Sequence, residues 1–318
     1  MRQAETVTFG GSGLDRAQHL RGDAAALQSA WTGARVLALW RGRVLAAADD
    51  QGRATGLVWL PADHPLLQGP LDRLFLGHSD GTARFAADVS ATLAEAGPLP
   101  GPFDPGLHPH PALPPDQGFA DLRGLMALLS PRDAELAAMA KALAEWHRTH
   151  GFCATCGSRS LPTQGGWQRQ CPACDAPHFP RTDPVVIMLV THGNDVLLGR
   201  SPGWPEGMYS LLAGFVEPGE TVEAAVRREV SEETGIRIGA VGYGQPALAL
   251  PGQPDAGLPR PATSSAITLD PAELQDARWI SREDMVQAFA GTHPDIRPAR
   301  QGSIAHSILQ AWLADRLD

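Results

Sequence analysis

Two glutamates stand where apolar side chains belong. Between Thr221 and Gly235 the residues favour a helix, with Thr221 suited to its N-cap and Gly235 to its C-cap. At about a hundred degrees per residue, Val222, Ala225, Val226 and Val230 share one face, and Glu229 and Glu233 fall on that face near its C-terminal end. A solvated helix surface, the ordinary place for glutamates, would set these two opposite the valines. Like charges four residues apart also repel, so the helix is weakened unless a cation lies between them. Hard carboxylate oxygens suit Mg²⁺ or Mn²⁺, ions that keep positions open for water and for phosphate. Arg228 and Glu232 lie four apart on an adjacent stripe and can pair to orient the site.

A second constellation is made of sulfur. The chain's four cysteines form two pairs, Cys153-Ala-Thr-Cys156 and Cys171-Pro-Ala-Cys174, separated by fourteen residues. This spacing resembles a zinc ribbon, in which each pair is the knuckle of a turn and four thiolates enclose one metal ion. A redox CxxC needs no second pair, and disulfides are seldom kept in the cytosol. Four protein ligands leave no open position, so the zinc expected here is structural.

The acidic helix lies inside a longer pattern. Gly214, five residues, Glu220, seven residues, Arg228-Glu229-Val230, one residue, Glu232-Glu233, one residue and Gly235-Ile236 match the Nudix box at every specified position. The chain resembles a Nudix hydrolase. That likeness implies cleavage of a nucleoside diphosphate linked to another group, with Glu229 and Glu233 as metal ligands and Glu232 as a ligand or as the base. With a ribbon ahead of the box, and with Asp121-Leu122-Arg123, Glu145-Trp146-His147 and Phe179-Pro180-Arg181 around it, the chain is similar to the NAD(H) pyrophosphatases of the NudC type. This implies hydrolysis of NADH or NAD⁺ to nicotinamide mononucleotide and AMP, removal of NAD caps from RNA 5′ ends, and a homodimer. It also implies that the carbonyl of Ala213 and the side chain of Glu273 complete the Mg²⁺ or Mn²⁺ site. Substrate contacts carried over in the same way are Phe179, Gln245, Pro246 and Ala305. Ordinary core packing is the competing reading of Phe179.

The pattern departs after Pro246. The family carries Ser-Gln-Pro-Trp-Pro-Phe-Pro and then a strand, whereas Ala247 to Pro261 lacks the aromatics, and its prolines and glycines forbid a central strand. Leu248 to Pro261, back-translated with free choice of synonymous codons, can be read in one shifted frame as WPFPASLMLGFRA. Two compensating indels around this segment would account for the family pattern resuming from Ile267. Two other functions remain open: a Nudix hydrolase of another nucleoside diphosphate derivative such as ADP-ribose, and an inactive RNA-binding homologue.

These groups need scaffolds. Residues 36–87 alternate apolar and polar, with hairpin signals at Arg41-Gly42-Arg43 and Ser79-Asp80-Gly81. Residues 97–117 are dense in proline and glycine and predict a connector without regular structure. Ser130 with Asp133 predicts the start of a helix running toward Trp146. Pro184 to Val190 reads as a strand buried on both faces, Asp195 to Arg200 as its hairpin partner, and Tyr209 to Leu212 as a third strand. The expected fold is α+β: a β-rich N-terminal domain (1–96), a Pro-rich connector and helix (97–148), a four-cysteine zinc ribbon (149–180) and a Nudix α/β/α sandwich with a mixed sheet (181–318).

Composition narrows the class. Of 318 residues 43% are hydrophobic and 19% charged, which excludes general disorder despite 34 Gly and 28 Pro. A net charge of −9 argues against non-specific duplex binding. The longest aliphatic run, Val185 to Val190, is far short of the roughly 20 residues of a membrane span, and no basic start leads an apolar stretch. A cytoplasmic protein without a membrane partner is expected.

Overall fold

The computed structural model describes residues 8–91, 106–242, 246–249 and 253–317, with the backbone alone for 246–249 and 253–261. Two compact units divide the described chain, residues 11–181 and residues 182–317.

The first unit opens with helix α1 (Ala24–Thr32), capped by the Asp23 carboxylate. Strands β1 (Arg35–Trp40), β2 (Arg43–Ala48), β3 (Ala54–Leu57), β4 (Leu60–Pro61), β5 (Arg73–Ser79) and β6 (Thr82–Asp88) follow. The β1–β2 turn puts Arg41 and Gly42 at φ 49° and 76°, and the β5–β6 turn puts Asp80 and Gly81 at 52° and 72°, the left-handed pairs that twisted hairpins favour. β6 returns parallel to β1, and Trp31, Val36, Trp40, Phe75, Phe85 and Phe119 fill the core.

The connector expectation fails at its C-terminal end. Strands β7 (His108–Pro109) and β8 (Gln117–Ala120) extend the sheet to the order β5-β6-β1-β2-β8-β7. Local composition argued for coil, yet β2 offers β8 a partner, and Phe119 gains complete burial there. Connector residues 97–105 lie outside the described residues.

Helix α2 (Leu122–Leu125) leads to α3 (Pro131–Thr149), where the Ser130 hydroxyl accepts from the Asp133 amide at 3.1 Å as its sequence predicts. The ribbon is a three-stranded sheet of β9 (Leu161–Thr163), β10 (Gln168–Gln170) and β11 (Pro177–His178), in the order β11-β10-β9.

The second unit is a mixed sheet between helices. Strand β12 (Val185–His192) is buried from Val185 to Val190 and pairs antiparallel with β13 (Asp195–Arg200). β12 sends Ile187 and Leu189 to one core and Val186, Met188 and Val190 to the other. The next strand, β14, is Leu212–Phe215 rather than Tyr209–Leu212, and Ser210 makes only an isolated bridge to Gly199. That shift places Ala213 and Gly214 inside the ladder with β12. Helix α4 (Val222–Thr234) is capped by Thr221 and closed by Gly235 at φ 67°, as expected.

Strands β15 (Pro246–Ala249) and β16 (Gln253–Pro261) correct the expectation that prolines and glycines forbid a central strand here, because β16 lies between β15 and β12. β16 runs parallel to β12 from Asp255 to Pro261. The Ala262 amide donates to the Thr191 carbonyl, so even-numbered nitrogens face β12 while those of Pro259 and Pro261 face away. On that other side β15 reaches only as far as Ala256, so neither proline removes a ladder bond. Strand β17 (Asp276–Ser281) and helices α5 (Arg282–Phe289) and α6 (Ile304–Leu313) complete the unit. α4 covers one face of the sheet, while α5 and α6 cover the other.

Candidate functional site

The periodicity of α4 carries Glu229 and Glu233 inward. Ala225, Val226 and Val230 are buried at 1% exposure or less, and Glu233 follows them at 8%. The buried Oε2 of Glu233 has no hydrogen-bond partner. Burial, with Glu229, Glu273 and Glu232 nearby, pushes its carboxyl up to about 8. Burial raises Glu229 as well, although Arg228 opposes the shift.

Arg228 is the clamp of this cluster. Its guanidinium reaches Glu220 at 2.5 Å, Glu229 at 2.8 Å, Glu232 at 3.0 Å and the Phe215 carbonyl at 2.8 Å. The expected Arg228–Glu232 pair is one arm of this fork. Glu232 keeps a side chain 58% exposed. Gly214 leaves room for the Glu229 carboxylate: a Cβ there would lie 1.9 Å from Cδ of Glu229 and displace it. The Ala213 backbone is fixed by its pairing with Ile187. Glu273 lies in an exposed turn, close enough to raise both Glu229 and Glu233 electrostatically.

The hard oxygen donors of these acids suit a divalent cation, although no three of them converge as the cysteine sulfurs do. An orphaned, buried carboxylate oxygen among like charges is what an added Mg²⁺ or Mn²⁺ would satisfy. Exposed Phe215, at 54%, ends β14 beside the cluster. Sequence reading passed over it; its place within the box was the available signal.

The four cysteine sulfurs lie within 4.8 Å of one another, the one such ligand group among the described residues. Cys153 and Cys174 sulfurs are 3.6 Å apart, and those of Cys156 and Cys171 are 3.5 Å apart. Zinc–sulfur bonds of about 2.3 Å in a tetrahedron put sulfurs about 3.8 Å apart, so the cluster fits zinc closely. All four cysteines are free of disulfides.

The substrate contacts carried over by resemblance fare differently. Phe179 is 63% exposed, which removes core packing as its explanation. Gln245 lies outside the described residues, and Pro246 opens β15. Ala305 is 3% exposed in the α6 core, so its methyl offers a ligand nothing. Its amide, in the first turn of α6, belongs to the donors that a helix leaves unpaired. A separate cavity of about 650 Å³, lined by Arg200, Tyr209, Arg278 and Arg297 among others, contains none of the acids of the box.

An acidic helix against a mixed sheet, held by an arginine fork and a glycine contact, defines a Nudix domain. The chain belongs to the Nudix hydrolase family. Residues 180–301 match the NUDIX domain, 148–179 the NADH pyrophosphatase zinc ribbon domain, and 33–146 the NADH pyrophosphatase-like rudimentary NUDIX domain. The chain is 34% identical over 324 residues to the NAD-capped RNA hydrolase NudC of Mycobacterium bovis, covering 95% of this chain and 93% of that one. It is 39% identical over 200 residues to the human NAD-capped RNA hydrolase NUDT12, covering 58% of this chain and 43% of the relative's length. Among the described residues no helix is long and apolar enough to cross a membrane.

Proposed function

We propose that this protein hydrolyses the pyrophosphate bond of NADH and NAD⁺ to nicotinamide mononucleotide and AMP, and removes NAD caps from RNA 5′ ends. The observation that carries this reading is the buried, unpartnered Glu233 oxygen within the acidic face of α4. The names of the mycobacterial and human relatives support the choice of substrate. A bound Mg²⁺ or Mn²⁺ would neutralise the pyrophosphate and make an attacking water more acidic. Glu229, Glu233, Glu273 and the Ala213 carbonyl are the residues that would hold it. Arg228 keeps Glu229 and Glu232 oriented. Glu232, exposed and with one oxygen on Arg228, serves as a further ligand or takes the proton from water. Phe215, exposed at the end of β14, offers an aromatic face for a base or nicotinamide ring. The working form is a cytoplasmic homodimer with one structural zinc per chain.

Incubating the purified protein with NADH and Mg²⁺ or Mn²⁺ tests this, with reduced nicotinamide mononucleotide and AMP as expected products. NADH left intact while ADP-ribose is cleaved would replace the substrate and keep the chemistry. Cleavage of neither, with RNA still bound, would favour the inactive homologue.

A further inference from the structure

The ribbon carries a fifth polar group at its metal site. His178, four residues beyond Cys174, brings its Nε2 to 3.2 Å from the Cys153 sulfur. We propose that His178 is a positioning residue of the zinc site, whose Nε2–H donates a hydrogen bond to the Cys153 thiolate and slows loss of the metal. A thiolate on zinc has no proton to give, so the imidazole must be the donor and its proton must sit on Nε2.

The sheet fixes where that imidazole sits. In the β10–β11 ladder His178 stands opposite Arg169. Arg169 is buried, and its guanidinium donates to the Ser160 carbonyl at 2.6 Å, the Ser160 hydroxyl at 2.8 Å and Nδ1 of His147 at 2.8 Å. His147, at the end of α3, in turn donates from Nε2 to the Gly166 carbonyl at 2.8 Å. β10 cannot slide without breaking these bonds, so β11 holds the imidazole in register with Cys153.

Charge explains the use of a donor there. Four thiolates around one Zn²⁺ leave two excess negative charges. Cys153 is 3% exposed, so water does little to stabilise its share. The Thr155 amide at 3.3 Å and the imidazole of His178 supply that stabilisation from the protein. Partners of this kind typically alter metal affinity by about tenfold or more.

The proposal rests on the ribbon binding zinc. Metal analysis of the purified chain therefore comes first, and zinc-free protein would overturn both readings. In zinc-loaded protein, His178→Phe should release zinc to a chromogenic chelator about tenfold faster, while His178→Gln, which keeps an N–H, should stay within about twofold of the parent. With Co²⁺ in place of zinc, His178→Phe should move the thiolate-to-metal charge-transfer band to lower energy, and His178→Gln should not. Unchanged release and spectrum in the Phe variant, or equal acceleration in both variants, would overturn the proposal alone. Nitrogen NMR of the unmutated zinc protein supplies a test free of folding defects: His178 protonated on Nε2 is the expected tautomer, and a proton on Nδ1 alone would reject the hydrogen bond.

Discussion

Glu233 gathers the strain of the acidic site into one side chain. It is buried, lacks a partner on Oε2 and faces three other carboxylates. Glu233→Gln keeps the shape and removes the charge. Pyrophosphate cleavage should fall by at least about a hundredfold, while the metal-free variant should melt higher than the metal-free parent because repulsion is relieved. Added Mg²⁺ or Mn²⁺ should raise the melting temperature of the parent more than that of the variant. An unaltered rate under saturating metal would make the acidic face structural. Gly214→Ala probes the same site from the strand side. A methyl 1.9 Å from Cδ of Glu229 must push that carboxylate away, so activity should be lost while circular dichroism still reports the fold.

At the scale of elements, the join between α3 and the ribbon is sensitive to acid. His147 is buried between the Arg169 guanidinium and the Gly166 carbonyl, with Asp72 also acting on it. Burial first, and then the charge of Arg169, hold it below its ordinary value of 6.5. The unfolded chain therefore binds this proton more readily than the folded one. Its contribution to stability is complete above pH 6.5 and declines as pH falls below that value. Denaturant midpoints measured across this range should drop less in His147→Gln than in the parent, and parallel curves would dismiss the effect. The segment 247–261 poses a different question at the same scale. β16 pairs with β12, yet it carries prolines where an apolar run is expected. Gene sequencing should yield codons for Leu248 to Pro261 that read WPFPASLMLGFRA in a shifted frame; codons incompatible with that string dispose of the indel explanation.

For the whole molecule, the ribbon is the part least able to fold on its own. Its strands have three, three and two residues, and so short a segment has little core of its own. Stoichiometric zinc is expected by metal analysis, and removing it should open the ribbon to proteolysis before the Nudix unit. Cys153→Ser with full zinc content and unchanged melting would refute that. The proposed homodimer should appear in light scattering at twice the chain mass of 33.7 kDa.

Sequence alone determined what local spacing can specify. A helix has a fixed period, so the placement of Glu229 and Glu233 among valines could be read before any contact was known. Each CxxC knuckle is equally local, and so are the caps at Ser130, Thr221 and Gly235. Tertiary structure decided what depends on partners distant in sequence. Composition gave β7 and β8 no support, because their stability comes from a neighbouring strand. The prolines of β16 counted against a strand until pairing showed which side of it was open. Arg228 met Glu220 and Phe215 only once β14 lay against α4. His178 reached Cys153 across 25 residues through a ladder register that no local pattern encodes.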